Sequence, residues 1–261
     1  MQMKIRFLFL LATLLLTSFF VTVSLQESFA QSAKSYQYGN IIMRDSASVD
    51  SGGTVVFRHW SHRSKYSCRL CHVDLEFSQI AGDSGITEDD NQSGRFCGTC
   101  HNGKEAFTIK LCAKCHAQDE KQLQEILKAD KKAFFAFQKT MPRSSYGNKI
   151  DWMKAEQDGL IQLKDKLPGI SPVQMNFVTN QRNEPLEPQL SGLPGIIFSH
   201  QKHVAWNGCG MCHPEPFKLV NGTTEMNMQE IIAGQYCGRC HGTVAFQIND
   251  CALCHSKPVS L

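Results

Sequence analysis

The chain has 261 residues, a length that suits one or two domains, with 27 Lys and Arg against 24 Asp and Glu. A formal charge of +3 gives no support to a nucleic-acid role. What stands out is 12 cysteines alongside 10 histidines.

Lys4 and Arg6 open a short basic start, residues 7–25 are apolar, and Ser28-Phe29-Ala30 offers small residues for cleavage. Residues 1–30 therefore predict a signal peptide. The alternative is an uncleaved membrane anchor, because the apolar run is long for a signal. Either way the folded part is exported, to the bacterial periplasm or beyond the cell, and no other run reaches membrane-spanning length. Residues 31–54, rich in Ser, Gln, Gly and Asp, predict a poorly packed N-terminal arm. Thr54-Val55-Val56-Phe57 is a short β-like run leading into His59 and His62.

All twelve cysteines fall in Cys-x-x-Cys-His units. These are Cys68/Cys71/His72, Cys97/Cys100/His101, Cys112/Cys115/His116, Cys209/Cys212/His213, Cys237/Cys240/His241 and Cys251/Cys254/His255. This is the attachment signature of c-type haem: two thiols add to the vinyl groups, and the adjacent His is placed to bind the iron as proximal ligand. Disulfides or zinc pairs do not require a His after every second Cys. The units predict six covalently bound haems, whose propionates would make the holoprotein acidic.

The units form two sets of three. Phe57-Arg58-His59-Trp60-Ser61-His62 precedes the first set, and Phe198-Ser199-His200-Gln201-Lys202-His203 precedes the second. The likeness continues beyond the motifs. Gly94-Arg95-Phe96-Cys97-Gly98 parallels Gly234-Gln235-Tyr236-Cys237-Gly238, and Ala106-Phe107 parallels Ala245-Phe246. The gap from Cys71 to Cys97 differs by one residue from that between Cys212 and Cys237. The expected fold is mainly irregular with short α-helices, in two tandem triheme modules built around packed haems, residues 55–116 and 196–261. Residues 117–195 predict a helical linker. Its helix runs from Asp119 to Phe137, with Leu123, Ile126, Leu127, Phe134 and Phe137 on one side, and Pro142 stops it. That helix either covers a haem edge or module junction, or packs on its own domain. The rest of the linker predicts short helices and loops.

The four remaining histidines are His59, His62, His200 and His203. Positions i and i+3 share one side of a helical turn, so one pair can serve two haems. Filled faces leave an iron only electrons to exchange, whereas a vacant face binds small molecules. Phe57 and Phe198 are expected against porphyrin faces.

Phe-x-His-x-x-His before three Cys-x-x-Cys-His units resembles the cytochrome c3 superfamily, specifically its triheme c7-type modules. The resemblance covers residues 55–116 and 196–255 and implies an irregular wrap around close haems in a periplasmic electron carrier. It also implies a distal-ligand order: His59 opposite His72, His62 opposite His101, His200 opposite His213 and His203 opposite His241. The third haem departs from the pattern, because neither repeat has the third distal His of small c7-type proteins. Some members of the group use Met there. Repeat two offers Met226 and Met228, and Met228 is the favoured distal ligand for the His255 haem. Repeat one has Ile86 and Glu88 in those places, leaving Met43, Met141 or an open face for the His116 haem.

The expected function is a hexahaem electron carrier and not an enzyme. Its expected partners are other redox proteins, such as quinol-linked membrane or outer-membrane cytochromes. The alternatives are a multihaem reductase working at the His116 haem, or a subunit of an extracellular cytochrome filament.

Overall fold

The computed structural model describes residues 34–43, 53–175, 183–188 and 192–257. The predicted signal segment lies outside them. Among the described residues there are two three-stranded antiparallel sheets and seven α-helices, only one of which exceeds eight residues. No helix among them is long and apolar enough to cross a membrane. Most of the chain is irregular and it repeats one plan twice, as the motif pattern predicts.

In the first sheet, β2 (Thr54–Arg58) lies between β1 (Asn40–Met43) and β3 (His116–Ala117). In the second, β5 (Gly195–Ser199) lies between β4 (Asn183–Leu186) and β6 (His255–Lys257). Each central strand runs straight into a helix carrying the His pair, α1 (His59–Arg63) and α6 (His200–Asn207). The third motif histidine of each repeat sits on the outer strand, Val55 pairing with His116 and Ile196 with His255. Alternation along β2 puts Val55 and Phe57 on the face of His116, and Val56 on the other. Val56 and Ala117 form a core with Leu123.

Two expectations change here. Residues 34–43, predicted as part of a loose arm, are tied in by β1 pairing with β2, and Tyr38 is buried. The linker also contributes a strand, β4, where only helices and loops were expected. Pro185 is tolerated because β4 is an edge strand, where a missing N–H need not break a ladder.

The long helix forms as the periodicity predicts. It is α4 (Glu120–Gln138), after α2 (Glu88–Gln92) and α3 (Cys97–Cys100). Asp119 caps α4 by accepting the Gln122 N–H at 2.7 Å. Its first turns bury Leu123 against the first sheet. Further along, Phe134 joins a core with Ile150, Trp152, Ala155 and Ile161, and Trp152 belongs to α5 (Trp152–Gln157). Trp60 of repeat one and Trp206 of repeat two pack on that same core. The helix thus does both things considered for it, packing on its own repeat and bracing the junction with the next. Asp130 is the polar exception on its buried side. Its carboxylate pairs with Arg58 Nε at 2.8 Å and accepts from Trp60 Nε1 at 3.2 Å and Asn40 Nδ2 at 2.8 Å. One acidic group therefore ties α4 to β1, β2 and α1.

The second sheet has no such cover. Ile197, in the place of Val56, is 50% exposed, and no described helix lies over it.

Candidate functional site

The cysteine motifs fold as single helical turns. His101, His213 and His241 close theirs by donating N–H to the Cys97, Cys209 and Cys237 carbonyls at 2.8, 3.0 and 3.0 Å. None of the twelve thiols is in a disulfide. Burial pushes Cys71 and Cys240 up to about 12, and Cys97 and Cys212 up to about 11. Neutral thiols in apolar surroundings disfavour thiolate binding of a free metal ion.

The middle motif of each repeat carries the same backbone irregularity. Phe96 and Tyr236, just before it, have φ of 44° and 49°, in the left-handed region that aromatic residues avoid. Next comes Gly98 or Gly238, where a Cβ would lie 1.9 Å from the Asn91 or Ile231 carbonyl oxygen. Glycine is required because the preceding helix, α2 or α7 (Met228–Ile232), packs directly on the motif turn. Both helices begin with a capping box, Thr87 with Asp90 and Asn227 with Glu230. Glu88 and Met228 are therefore structural equivalents, each the first helical residue after its cap.

Eight of the ten histidines share one tautomer. His72, His101, His213 and His241 donate from Nδ1 to the carbonyls of Phe77, Phe107, Phe217 and Phe246, at 2.8, 3.0, 2.6 and 3.2 Å. His62 and His203 donate to Arg58 and Ser199 at 2.9 Å, and His59 donates to Gly39. His255 donates to Pro194 at 2.9 Å. A carbonyl only accepts, so Nδ1 holds the hydrogen and Nε2 keeps its lone pair. This is the outer-shell arrangement of metal-binding imidazole. Burial also holds five of these rings neutral, drawing His59 down to about 4 and lowering His62, His72, His203 and His241.

The rings are paired at one spacing. His59 and His72 have centroids 6.4 Å apart, with ring planes 9° from parallel. His62 and His101 are 6.2 Å apart, as are His203 and His241, both at 57°. Two imidazole–metal bonds of about 2 Å, with about 1.1 Å from each ring centre to its nitrogen, require about 6.2 Å. Rings in direct contact stand closer here: Phe57 is 4.7 Å from His59 and 4.5 Å from His62. Phe198 repeats this at 4.8 Å from His200 and 4.4 Å from His203. The residues present fit an iron held between the rings of each of these three facing pairs, while Phe57 packs against both His59 and His62, and Phe198 against both His200 and His203.

The third histidines differ. His116 Nδ1 is buried without a hydrogen-bond partner among the described residues, whereas His255 has the Pro194 carbonyl. Met141 packs on the core at the far end of α4, a helix of 19 residues and about 28 Å, so it is remote from His116. Met43 shares a row with Val55 and His116, on the same sheet face and about 9.5 Å away. Parallel side chains with Val55 between them do not face each other across one porphyrin. Met228 is 42% exposed at the start of α7.

Sequence reasoning missed the Nδ1 acceptors, though the signal was present. A Phe follows each first and second motif His by a few residues, as Phe77, Phe107, Phe217 and Phe246. Asp130 and Arg63 were also missed, because their partners are remote in sequence.

The family model described as cytochrome c7 and related cytochrome c matches residues 55–117 and 196–256. A solved c7-type three-heme cytochrome domain is 34% identical over 30% of this chain and 93% of its own, with a TM-score of 0.27. The C-terminal hexaheme fragment of GSU1996 is 22% identical over 83% of this chain and 96% of its own, at a TM-score of 0.26. Dodecaheme cytochrome c GSU1996 is 22% identical over 87% of this chain and 77% of its own, also at 0.26. No curated protein matches the chain. With two matched regions that coincide with the two repeats, the chain belongs to the family of cytochrome c7 and related cytochromes c.

Proposed function

We propose that this is a hexahaem electron carrier, exported to the periplasm or the cell exterior, and not an enzyme. Haem supplies a one-electron ferric–ferrous couple when bound. The observation that carries the reading is the set of paired imidazoles, 6.2–6.4 Å apart, with Nδ1 tied to backbone carbonyls. On this reading Cys68 and Cys71, Cys97 and Cys100, Cys112 and Cys115, and their counterparts in repeat two hold six haems. His59 with His72, His62 with His101, His200 with His213, and His203 with His241 fill both faces of four irons. Those four have no room for substrate, which favours a carrier over a reductase. The partners are other redox proteins, quinol-linked in the membrane or at the outer membrane. Mass spectrometry of the exported holoprotein should count six haems and no free thiol, and four or fewer in fully matured protein would overturn the reading.

Met228 is the proposed sixth ligand of the His255 iron. Its support is the use of Met at this iron by some members of the group the repeats resemble; α7 itself packs against the Tyr236–Arg239 turn of the neighbouring motif. Thioether favours the ferrous state, so that haem should have the highest potential of its repeat. Met228→Ala should remove one thioether-ligated spectral signature, lower that single potential, and leave the four doubly imidazole-ligated haems unchanged. Spectra identical to the parent would remove Met228 from the ligand set. The His116 haem, with no ligand assigned opposite, should bind added cyanide.

A further inference from the structure

Arg63 follows His62 directly, at the end of α1. Its guanidinium lies 4.8 Å from the ring centre of Trp152 and 5.0 Å from that of Trp206. Trp152 is in the linker and Trp206 is in repeat two, so the two rings pin a repeat-one side chain against the rest of the molecule. Nη1 of Arg63 donates at 2.8 Å to the Val244 carbonyl, in the loop between His241 and the Phe246 carbonyl that orients it. Cys68, the first attachment thiol of repeat one, lines the same crevice. Arg63 has no carboxylate partner among the ion pairs of the described residues, unlike Arg58, Arg69 and Arg95.

A guanidinium enclosed in this way is expensive without an anion, and no carboxylate among the described residues pairs with it. The surroundings instead contain attachment cysteines from both repeats. Burial lowers the Arg63 pKa, and the largest opposing influences are Cys68 and Cys240. Arg63 keeps its charge through any such shift, because guanidinium starts so far above neutrality. The neighbouring phenol adds no charge, since burial pushes Tyr38 up to about 12.

Building on the hexahaem reading, we infer that Arg63 is the electrostatic control point between the two repeats. Its fixed positive charge disfavours the ferric state of the haem at Cys68 and Cys71 and of the haem at Cys237 and Cys240, raising both potentials. It is a positioning and tuning residue that does not ligand iron. Through the Trp152 and Trp206 stack and the Val244 carbonyl, the same side chain holds the junction those two haems flank. Two haems raised together at the junction would be the natural resting place for an electron crossing between modules.

The test is a redox titration of the holoprotein with each haem resolved spectroscopically, comparing parent, Arg63→Gln, Arg63→Lys and the exposed control Lys154→Gln. Arg63→Gln should lower two of six potentials, cutting the reduced-to-oxidised ratio of each about tenfold at fixed ambient potential, or about 59 mV. Arg63→Lys keeps the charge and loses the planar stack. It should retain most of both potentials while melting earlier, and it serves if the Gln variant does not mature. Lys154→Gln should shift neither haem. Unchanged potentials in Arg63→Gln with six haems present would overturn the Arg63 inference alone. Failure of the parent to carry six haems would overturn the underlying reading first. A shift confined to the haems at Cys112 and Cys115 or Cys251 and Cys254 would also overturn the assignment to the junction.

Discussion

His203→Ala is expected to convert one haem in six to a five-coordinate, high-spin species, and that haem should be the one attached at Cys237 and Cys240. The ring of His203 stands 6.2 Å from that of His241, the spacing an intervening iron requires, and the Ser199 carbonyl fixes its tautomer. Removing the imidazole vacates one face without touching the covalent attachment. Added imidazole should then restore the low-spin signal. His200→Ala should do the same to the haem at Cys209 and Cys212, three residues earlier on the same helix but on a different iron. Resonance assignment of the high-spin haem in each variant checks the pairing. If both variants altered the same haem, one turn serving two irons would be wrong.

Asp130→Ala should give the largest loss of stability of any polar-to-alanine substitution in α4. The carboxylate is 1% exposed and meets Arg58, Trp60 and Asn40. Its removal leaves three half-buried donors without their acceptor, among them a guanidinium whose side chain is 25% exposed. Breaking a buried pair in this way costs about 3–5 kcal/mol, or about 10 °C in Tm for a chain of this size. Asp130→Asn, which keeps an acceptor oxygen, should recover part of that loss. Thermal melts followed by far-ultraviolet circular dichroism would measure both. A change of less than about 1 kcal/mol in the Ala variant would mean that the network contributes little.

The parts legible in the sequence are those whose cause is local. The Cys-x-x-Cys-His turns, the i, i+3 histidines and the two repeats are patterns within a few residues. The long helix announces itself by its apolar period, with Asp119 at one end and Pro142 beyond the other. What stayed hidden depends on backbone pairing or on distant partners. β1 and β4 have four residues each, Asn40-Ile41-Ile42-Met43 and Asn183-Glu184-Pro185-Leu186, too short for a period and alike only in the strand they join. Their pairing extends each repeat upstream of the motif region, which no comparison of side chains would reveal. Asp130 reads as one more polar residue on a helix until Arg58 and Asn40 are brought to it by the sheet. Arg63 reads as a surface cation until two tryptophans from elsewhere close over it.

The five residues of α1 carry both His59 and His62, with Phe57 wedged against the two rings. On the proposed reading, this makes two irons mechanical neighbours as well as electrical ones. A strain that unwinds the turn would pull on two axial bonds together, so neither iron can lose its distal imidazole through that turn alone. The economy of one turn for two ligands therefore brings a shared failure mode. It also explains why so small a helix is anchored so heavily, by Gly39 at His59, Asp130 at Trp60 and Val244 at Arg63.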